Sequence, residues 1–162
     1  MEEQRQGDAG AEERIDEMHL AALSDANKAR VLEMNALLRG ESAAASYEDL
    51  LGEMNDASHS VIGVYQGETI VGMIALHDVG EGNIWIRHNV VHPDAGRQGI
   101  GKRMFLEALT RAQRLGAETI HLHCKNIPER DAARKIYLDA GFTNITNGPL
   151  GSLDEYVLVV RA

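Results

Sequence analysis

A glycine-rich segment, Gly96-Arg97-Gln98-Gly99-Ile100-Gly101-Lys102, stands between a predicted strand and a predicted helix. The first N–H groups of a helix have no partner within it and carry partial positive charge, so they attract phosphate if the backbone can approach closely. Glycine permits that approach, and Arg97, Gln98 and Lys102 add hydrogen-bond donors and positive charge. The segment therefore indicates a phosphate-binding loop.

Two nucleotide-binding motifs compete for this segment. The dinucleotide fingerprint requires glycines in the order G-x-G-x-x-G, and Gly96, Gly99 and Gly101 do not follow that spacing. The P-loop fits better, because Gly96, Gly101 and Lys102 match its first seven positions. Its eighth position needs a Ser or Thr hydroxyl for magnesium, and the chain has Arg103 there. A P-loop nucleotide binder is therefore a remote alternative.

The charge and composition of the whole chain narrow the classes of function. The chain has 162 residues, 44% of them hydrophobic, which suits a single domain. Its formal net charge of -9 argues against a nucleic-acid partner, since phosphate backbones are bound by clustered Lys and Arg. The single cysteine, Cys124, excludes an internal disulfide, and no apolar run is long enough to span a membrane. We expect a soluble, cytoplasmic protein.

The elements around the loop follow from apolar periodicity and from turn residues. Residues 1–13 are polar, acidic and small, so we expect a flexible tail, followed by one domain over 14–162. Helices are predicted after the caps Ser24 and Ser46, at Gly99–Gly116 and at Pro128–Ala140. Strands are predicted at Arg14–Ala22, Ser60–Tyr65, Thr69–Asp78, Asn83–Val91, Thr119–Cys124 and Tyr156–Val160.

Two blocks of the sequence resemble the GNAT superfamily of acetyl-CoA-dependent N-acetyltransferases. One block is Asn89-Val90-Val91-His92-Pro93 running into Gln98-Gly99-Ile100-Gly101-Lys102, and the other runs from Arg130 to Tyr137 and on to Ala140-Gly141-Phe142. The first resembles the family's pyrophosphate motif, Q/R-x-x-G-x-G/A. Gly96 stands where Arg or Gln is usual, and the arginine is displaced by one position to Arg97. The resemblance covers about 14–162.

This resemblance implies a fold and a donor. The fold is α/β (α+β): a mixed, mostly antiparallel sheet of about seven strands with splayed central strands, flanked by about four helices. In the family the strand before the loop carries a bulge, which leaves main-chain groups free to bind the pantetheine arm. The donor is acetyl-CoA, with no metal. The implied cofactor-binding residues are Val90, Val91, Arg97, Gln98, Gly99, Ile100, Gly101, Lys102, Asn126, Arg130, Ala133 and Tyr137.

Acetyl transfer to an amine needs a neutral nucleophile, a polarised carbonyl and a proton for the departing thiolate. Tyr137 occupies the position where the family has a tyrosine near the cofactor sulfur. Because a tyrosine pKa is ordinarily about 10, Tyr137 stays protonated and is the predicted general acid. His88 is the leading candidate for the general base, ahead of Glu81, His123 and Glu155, and water is the alternative.

The sequence favours neither a metal site at His121 and His123 nor a covalent role for Cys124. His121 and His123 share one strand face, but the reaction needs no metal, and no carboxylate or cysteine occurs at ligand spacing with them. Cys124 resembles a small core residue more than a covalent acetyl carrier.

The acceptor is predicted to be a primary amine of a small molecule or peptide that attacks acetyl-CoA directly. The first two helices and the stretch Thr146–Ser152 are expected to select it. The acidic composition favours a cationic amine such as an amino sugar or polyamine. A homodimer is one possible assembly. The main alternative function is a CoA-binding or regulatory module without catalysis.

Overall fold

A seven-stranded sheet organises the chain, and the computed structural model describes residues 13–39, 46–96 and 98–160. The strands are β1 (Glu13–Glu17), β2 (His59–Gln66), β3 (Thr69–Gly80), β4 (Asn83–Val91), β5 (Thr119–Lys125), β6 (Thr143–Asn144) and β7 (Leu153–Val159). The helices are α1 (Asp25–Arg39), α2 (Tyr47–Met54), α3 (Ile100–Arg114) and α4 (Asp131–Asp139). Short 3-10 turns lie at Leu20–Ala22, Pro93–Ala95 and Pro128–Arg130.

The sheet divides at its middle. Its order is β1-β2-β3-β4-β5-β7-β6, and neighbouring strands are antiparallel except β4 and β5, which are parallel and joined by the crossover helix α3. These two strands pair only where Asn83–Trp85 faces Thr119–His121, although β4 continues to Val91 and β5 to Lys125. The predicted mixed, mostly antiparallel sheet with splayed central strands is therefore confirmed.

Alternation along the strands produces a core on each face of the sheet. On β3, Ile74 and Leu76 point to one side and Met73 and Ala75 to the other. The first side, here called the α3 face, is covered by the apolar stripe of α3. The second side, the α1 face, is covered by α1 and α2 over β2 and β3. The buried α3 stripe consists of Ile100, Met104, Phe105, Ala108, Leu109 and Ala112.

The helix starts predicted from Ser24 and Ser46 are confirmed. The Ser24 hydroxyl accepts the Asn27 N–H at 3.2 Å. Ser46 makes a capping box: its hydroxyl accepts the Asp49 N–H at 3.1 Å, and the Asp49 carboxylate accepts the Ser46 N–H at 3.3 Å. These bonds satisfy N–H groups that have no partner within the helix.

Two predicted strand boundaries are wrong. The first strand ends at Glu17 rather than Ala22, because the chain turns at Leu20, whose carbonyl accepts the Tyr47 hydroxyl at 2.6 Å. The last strand begins at Leu153 rather than Tyr156. Its start escaped the apolar pattern because Leu153 is exposed and the inward residue beside it, Asp154, is a buried carboxylate.

Candidate active site

A bulge interrupts β4 shortly before the glycine-rich loop. Val90 pairs with Met73 and Arg87 with Ala75, so two residues of β4, His88 and Asn89, stand opposite one residue of β3. His88 has a φ of 55°, in the left-handed region that residues other than glycine rarely adopt. Such strain persists where the surrounding structure enforces it, and it concentrates at functional sites.

The extra residue changes which face each β4 side chain meets. In a regular strand Arg87 and Asn89 would point to the same side, because side chains alternate. Here His88 contacts Asn35 of α1 on the α1 face, whereas Asn89 contacts Tyr137 of α4 on the opposite face. The bulge therefore presents polar side chains to both sides of the sheet at one point of β4.

A cleft of about 1050 Å³ lies where β4 and β5 diverge. It passes through the sheet, because residues of both faces line it. On the α3 face the lining includes Val91, Gly101, Phe105, Cys124, Arg130, Ala133 and Tyr137. On the α1 face it includes Leu37, Leu38, His77, Trp85, Arg87, His88 and His123. Two ligands can therefore enter the cleft from opposite faces of the sheet and meet inside it.

Tyr137 lies on α4 at the wall of this cleft. Its ring packs against Phe105, Phe142 and Tyr156, with centroids 5.0, 6.4 and 6.1 Å away. Only 7% of the residue is exposed, and this burial raises the pKa of Tyr137 to about 12. The phenol is therefore neutral at physiological pH and available as a proton donor.

Asn89 fixes the hydroxyl of that tyrosine. Its amide Nδ2 donates a hydrogen bond to Tyr137 Oη at 3.0 Å. Because the oxygen accepts from Asn89, the hydroxyl proton is left to donate elsewhere, and the cleft lies beside it. The pattern of residue types gave no signal for this contact, since an asparagine two positions before the end of a strand carries none. The bulge that the resemblance implies was the available clue.

The glycine-rich loop sits at the start of α3, beyond the end of β4. Gly99 precedes the helix with a φ of 74°, a conformation that requires glycine. The first hydrogen bond at this helix start runs from the Arg103 N–H to the Gly99 carbonyl, so the N–H groups of Ile100, Gly101 and Lys102 have no helical acceptor. Gly101 lines the cleft, which lets a ligand approach its backbone.

Helix α1 braces the segment that leads into this loop. Arg30 donates two hydrogen bonds to the Asp94 carboxylate, at 3.0 and 3.1 Å. Next to them, His92 Nε2 lies 2.7 Å from a Glu33 oxygen. Planar paired contacts of this kind fix orientation as well as distance. The loop is therefore held to α1, whose side chains also line the α1 face of the cleft.

The predicted cofactor residues fall into three groups. The structure brings to the cleft Val90, Val91, Gly101, Arg130, Ala133 and Tyr137. Beside Gly101, the loop and helix start hold Gln98, Gly99, Ile100 and Lys102, with the Ile100 side chain in the core. Asn126 is not among the residues that line the cleft, and its amide donates to the carbonyls of Gly148 and Pro149 at 3.2 Å. Arg97 lies outside the described residues.

The candidate bases are dispersed. His88 lines the cleft at the bulge, with Nδ1 3.4 Å from Asn35 Nδ2, and His123 lines it from β5. Glu155 is engaged with His121 Nδ1 at 3.1 Å, and Glu81 sits in the turn between β3 and β4, away from the cleft lining. His88 is thus the candidate that is nearest in sequence to Asn89 and faces the α1 side.

Cys124 and the histidines are the remaining residues to which separate chemistry could be assigned. Cys124 is buried at the cleft wall, and burial raises the pKa of its thiol, which lowers its thiolate fraction. The described residues contain no group of three or more His, Cys, Asp or Glu that could hold a metal ion. In the same part of the chain, no helix has the length and apolarity needed to cross a membrane.

The sheet opening, the helix start and the buried tyrosine define a class of enzyme. A helix start of this kind attracts phosphate, and a cleft lined from both faces of the sheet has room for two substrates. The model of the acetyltransferase (GNAT) family matches residues 26–142. The chain therefore belongs to the GNAT family of acetyltransferases, with acetyl-CoA as the acyl donor.

Solved structures of similar fold share little sequence with the chain. The PaiA N-acetyltransferase from Thermoplasma acidophilum, in complex with coenzyme A, is 16% identical with a TM-score of 0.69, over 91% of this chain and 99% of that one. An aminoglycoside 6'-acetyltransferase type Ii is 16% identical with a TM-score of 0.73, over 90% and 96%. The ribosomal-protein-S18-alanine N-acetyltransferase from Escherichia coli is 16% identical with a TM-score of 0.67, over 90% of each chain.

No curated protein is significantly similar to the chain in sequence. Identities this low establish the fold alone, and the names of these structures include different acceptors.

Proposed function

We propose that this protein transfers an acetyl group from acetyl-CoA to the primary amine of a small molecule or peptide by direct attack. The observation that carries this proposal is the Tyr137 hydroxyl, held by Asn89 at the point where β4 and β5 diverge. Family membership supplies the donor. The tyrosine places a proton-donating hydroxyl where the thioester end of acetyl-CoA would lie if its arm ran along β4.

The donor has two sets of backbone groups to bind. No strand pairs with β4 on its β5 side beyond Trp85 in the described ladder, so its main chain from Ile86 to Val91 is open to an extended arm. The unpaired N–H groups of Ile100, Gly101 and Lys102 lie beyond it and suit a pyrophosphate. Lys102 on α3 and Arg130 before α4 add positive charge for the phosphates.

The reaction then needs three events. The neutral amine attacks the thioester carbonyl carbon, the carbon–sulfur bond breaks, and the electron pair leaves with sulfur. Tyr137 donates its proton toward that sulfur. His88, or a water beside it, accepts the proton that the nitrogen loses.

Magnitudes decide how Tyr137 acts. A thiol ordinarily has a pKa of about 8.5, whereas burial raises the pKa of Tyr137 to about 12. Complete transfer from Tyr137 alone would be unfavourable by roughly 5 kcal/mol. As Tyr137 protonates the thiolate, the proton lost by the nitrogen therefore passes through His88 or water and reprotonates Tyr137. No tyrosinate then accumulates.

Direct attack and a cytoplasmic setting complete the proposal. Cys124 is the only thiol of the chain, and its raised pKa makes it a poor acetyl carrier. A lone free cysteine also fits a reducing compartment. Fractionation of the source cells tests the location, and detection of the native protein in a secreted fraction would contradict it.

Thiol release from acetyl-CoA across a panel of primary amines tests the function, with coenzyme A binding measured separately. We expect turnover with at least one amine, and a fall in kcat of about a hundredfold or more for Tyr137→Phe. Tight coenzyme A binding without turnover of any amine would favour the regulatory module. Stabilisation by ATP with magnesium, and not by coenzyme A, would support the P-loop interpretation.

A further inference from the structure

The α1 face of the cleft has an unexpected charge for so acidic a chain. None of the residues described as lining the cleft is an Asp or Glu. Arg87 is the cation on its α1 face, Lys125 ends β5, and Arg130 lies on the α3 face with the donor. Recognition of a cationic acceptor such as an amino sugar or polyamine relies on carboxylates. The local lining therefore has the sign that suits an anion, opposite to the net charge of -9.

Arg87 is the cation best placed for the acceptor. It pairs across the ladder with Ala75, which belongs to the α1-face core, so Arg87 lies on that face, just before the bulge. Its side chain is exposed, and no ion pair joins it to a carboxylate within the described residues. An arginine presents a planar fork of donors that matches a carboxylate.

The donor's phosphates do not account for Arg87. They belong at the start of α3, past the end of β4, and Arg87 stands four residues before that end, about 13 Å along an extended strand. Asn89, which marks the reacting end of the donor, is only two residues away, about 7 Å. Arg87 is thus close to the amine's side of the reaction.

Two carboxylates of neighbouring elements are already engaged. Glu155 of β7 lies 3.1 Å from His121 Nδ1, and Asp56 lies 2.9 Å from His59 Nδ1. His59 in turn stacks on His77, a lining residue, at 3.9 Å. Both carboxylates are thus paired with imidazoles, and the histidines that line the cleft itself are His77, His88 and His123.

An aromatic wall stands beside Arg87. Trp85 pairs opposite His77 on the same face. Its ring stacks on His121, with centroids 4.8 Å apart, and lies at a tilt to His123, with centroids 4.9 Å apart. Leu37 of α1 closes the other side and is half exposed. An apolar or aromatic group of a ligand can pack on Trp85 and Leu37 while the Arg87 guanidinium binds another part of the same ligand.

We infer that the acceptor is a primary amine that also carries a carboxylate, as an amino acid with an apolar side chain does. Arg87 binds the carboxylate, and the apolar group packs on Trp85 and Leu37. This rests on the proposed function, since it names the acceptor class of the same site. An amino acid joins amine and carboxylate through one carbon, so binding at Arg87 holds the nitrogen near the bulge.

Matched acceptors test the inference. Thiol release is compared for phenylalanine and leucine, for their carboxamides, and for spermidine and kanamycin. We expect kcat/KM for each acid to exceed that for its amide by about 10- to 100-fold, as for loss of a charge-assisted hydrogen bond. Arg87→Gln should abolish this preference mainly through KM, and Arg87→Lys should restore part of it. Arg114→Gln, an exposed arginine of α3 outside the cleft, is the matched control.

Binding separates the two possible failures. If no amine is turned over, the proposed function fails, and the acceptor class is then read from saturable binding of phenylalanine to the CoA-loaded protein. Binding that Arg87→Gln removes would still support the inference. Amides or spermidine turned over as well as the acids would overturn it, and so would binding of phenylalanine that Arg87→Gln leaves unchanged.

Discussion

The contact between Asn89 and Tyr137 predicts how two substitutions combine. Asn89→Ala removes a 3.0 Å hydrogen bond to a buried oxygen. A net hydrogen bond contributes about 1 kcal/mol, and an unsatisfied buried group raises the loss, so we expect destabilisation of about 1–2 kcal/mol. In a chain of this size that lowers Tm by about 3–6 °C.

The same substitution should slow catalysis through Tyr137. The Asn89 hydrogen bond favours the oxygen as it loses its proton, and it acts against the burial that raises the pKa of Tyr137. Losing about 1 kcal/mol at the transition state lowers kcat about fivefold, with the KM for acetyl-CoA nearly unchanged. Tyr137→Phe should lower kcat by about a hundredfold or more.

Steady-state thiol release and thermal unfolding of the single and double variants measure these effects. Because Asn89 acts through the tyrosine hydroxyl, Asn89→Ala should have no further effect on kcat in the Tyr137→Phe background. Tyr156→Phe, in the same aromatic cluster, and Asn144→Ala, which loses a 3.0 Å bond to Asp154, are controls that should leave kcat unchanged. Independent, multiplicative losses from Asn89→Ala and Tyr137→Phe would refute the reasoning.

Three further predictions concern the loop, the thiol and pH. Gly101→Val should weaken coenzyme A binding at least tenfold, measured by calorimetry, with little loss of stability. Among the described residues an added Cβ would meet only Val91, at 3.7 Å, on the side of the cleft; unchanged affinity would remove Gly101 from the site. Cys124→Ala should keep most of kcat, and a trapped acetyl-cysteine in mass spectrometry of the wild type would contradict direct attack. Stability should fall between pH 10 and about 12, because unfolded tyrosine ionises near 10 while burial raises the pKa of folded Tyr137 and Tyr47 to about 12. Tyr137→Phe should reduce this slope by the share of Tyr137, and an unaltered slope would argue against the raised pKa of Tyr137.

The sheet could largely be predicted from sequence because its strands are long and apolar. β2, β3 and β4 emerged close to their observed bounds, and Asn83–Val91 matched in full. The two-residue strand β6 has too few residues to show a period. The start of β7 was missed because its second residue, Asp154, is polar although it is buried.

The site was predicted less completely, because its geometry depends on pairing register. Val90, Val91, Gly101 and Tyr137 could be placed at one cleft from the motifs. The role of Asn89 could not, since a single extra residue on β4 decides which face it meets. For Asn126 the residue type suggested a cofactor contact, and the hydrogen bonds of its amide to the Gly148 and Pro149 carbonyls depend on the fold and could not be predicted.

The central claim is that this chain moves an acetyl group from acetyl-CoA to an amine at the cleft beside Tyr137. Mass spectrometry of the acceptor, run alongside thiol release, measures both products of one reaction. We predict one N-acetylated acceptor for each thiol released by the wild type, and loss of both products together in Tyr137→Phe. Thiol release without an acetylated amine, or full activity of Tyr137→Phe, would contradict the account.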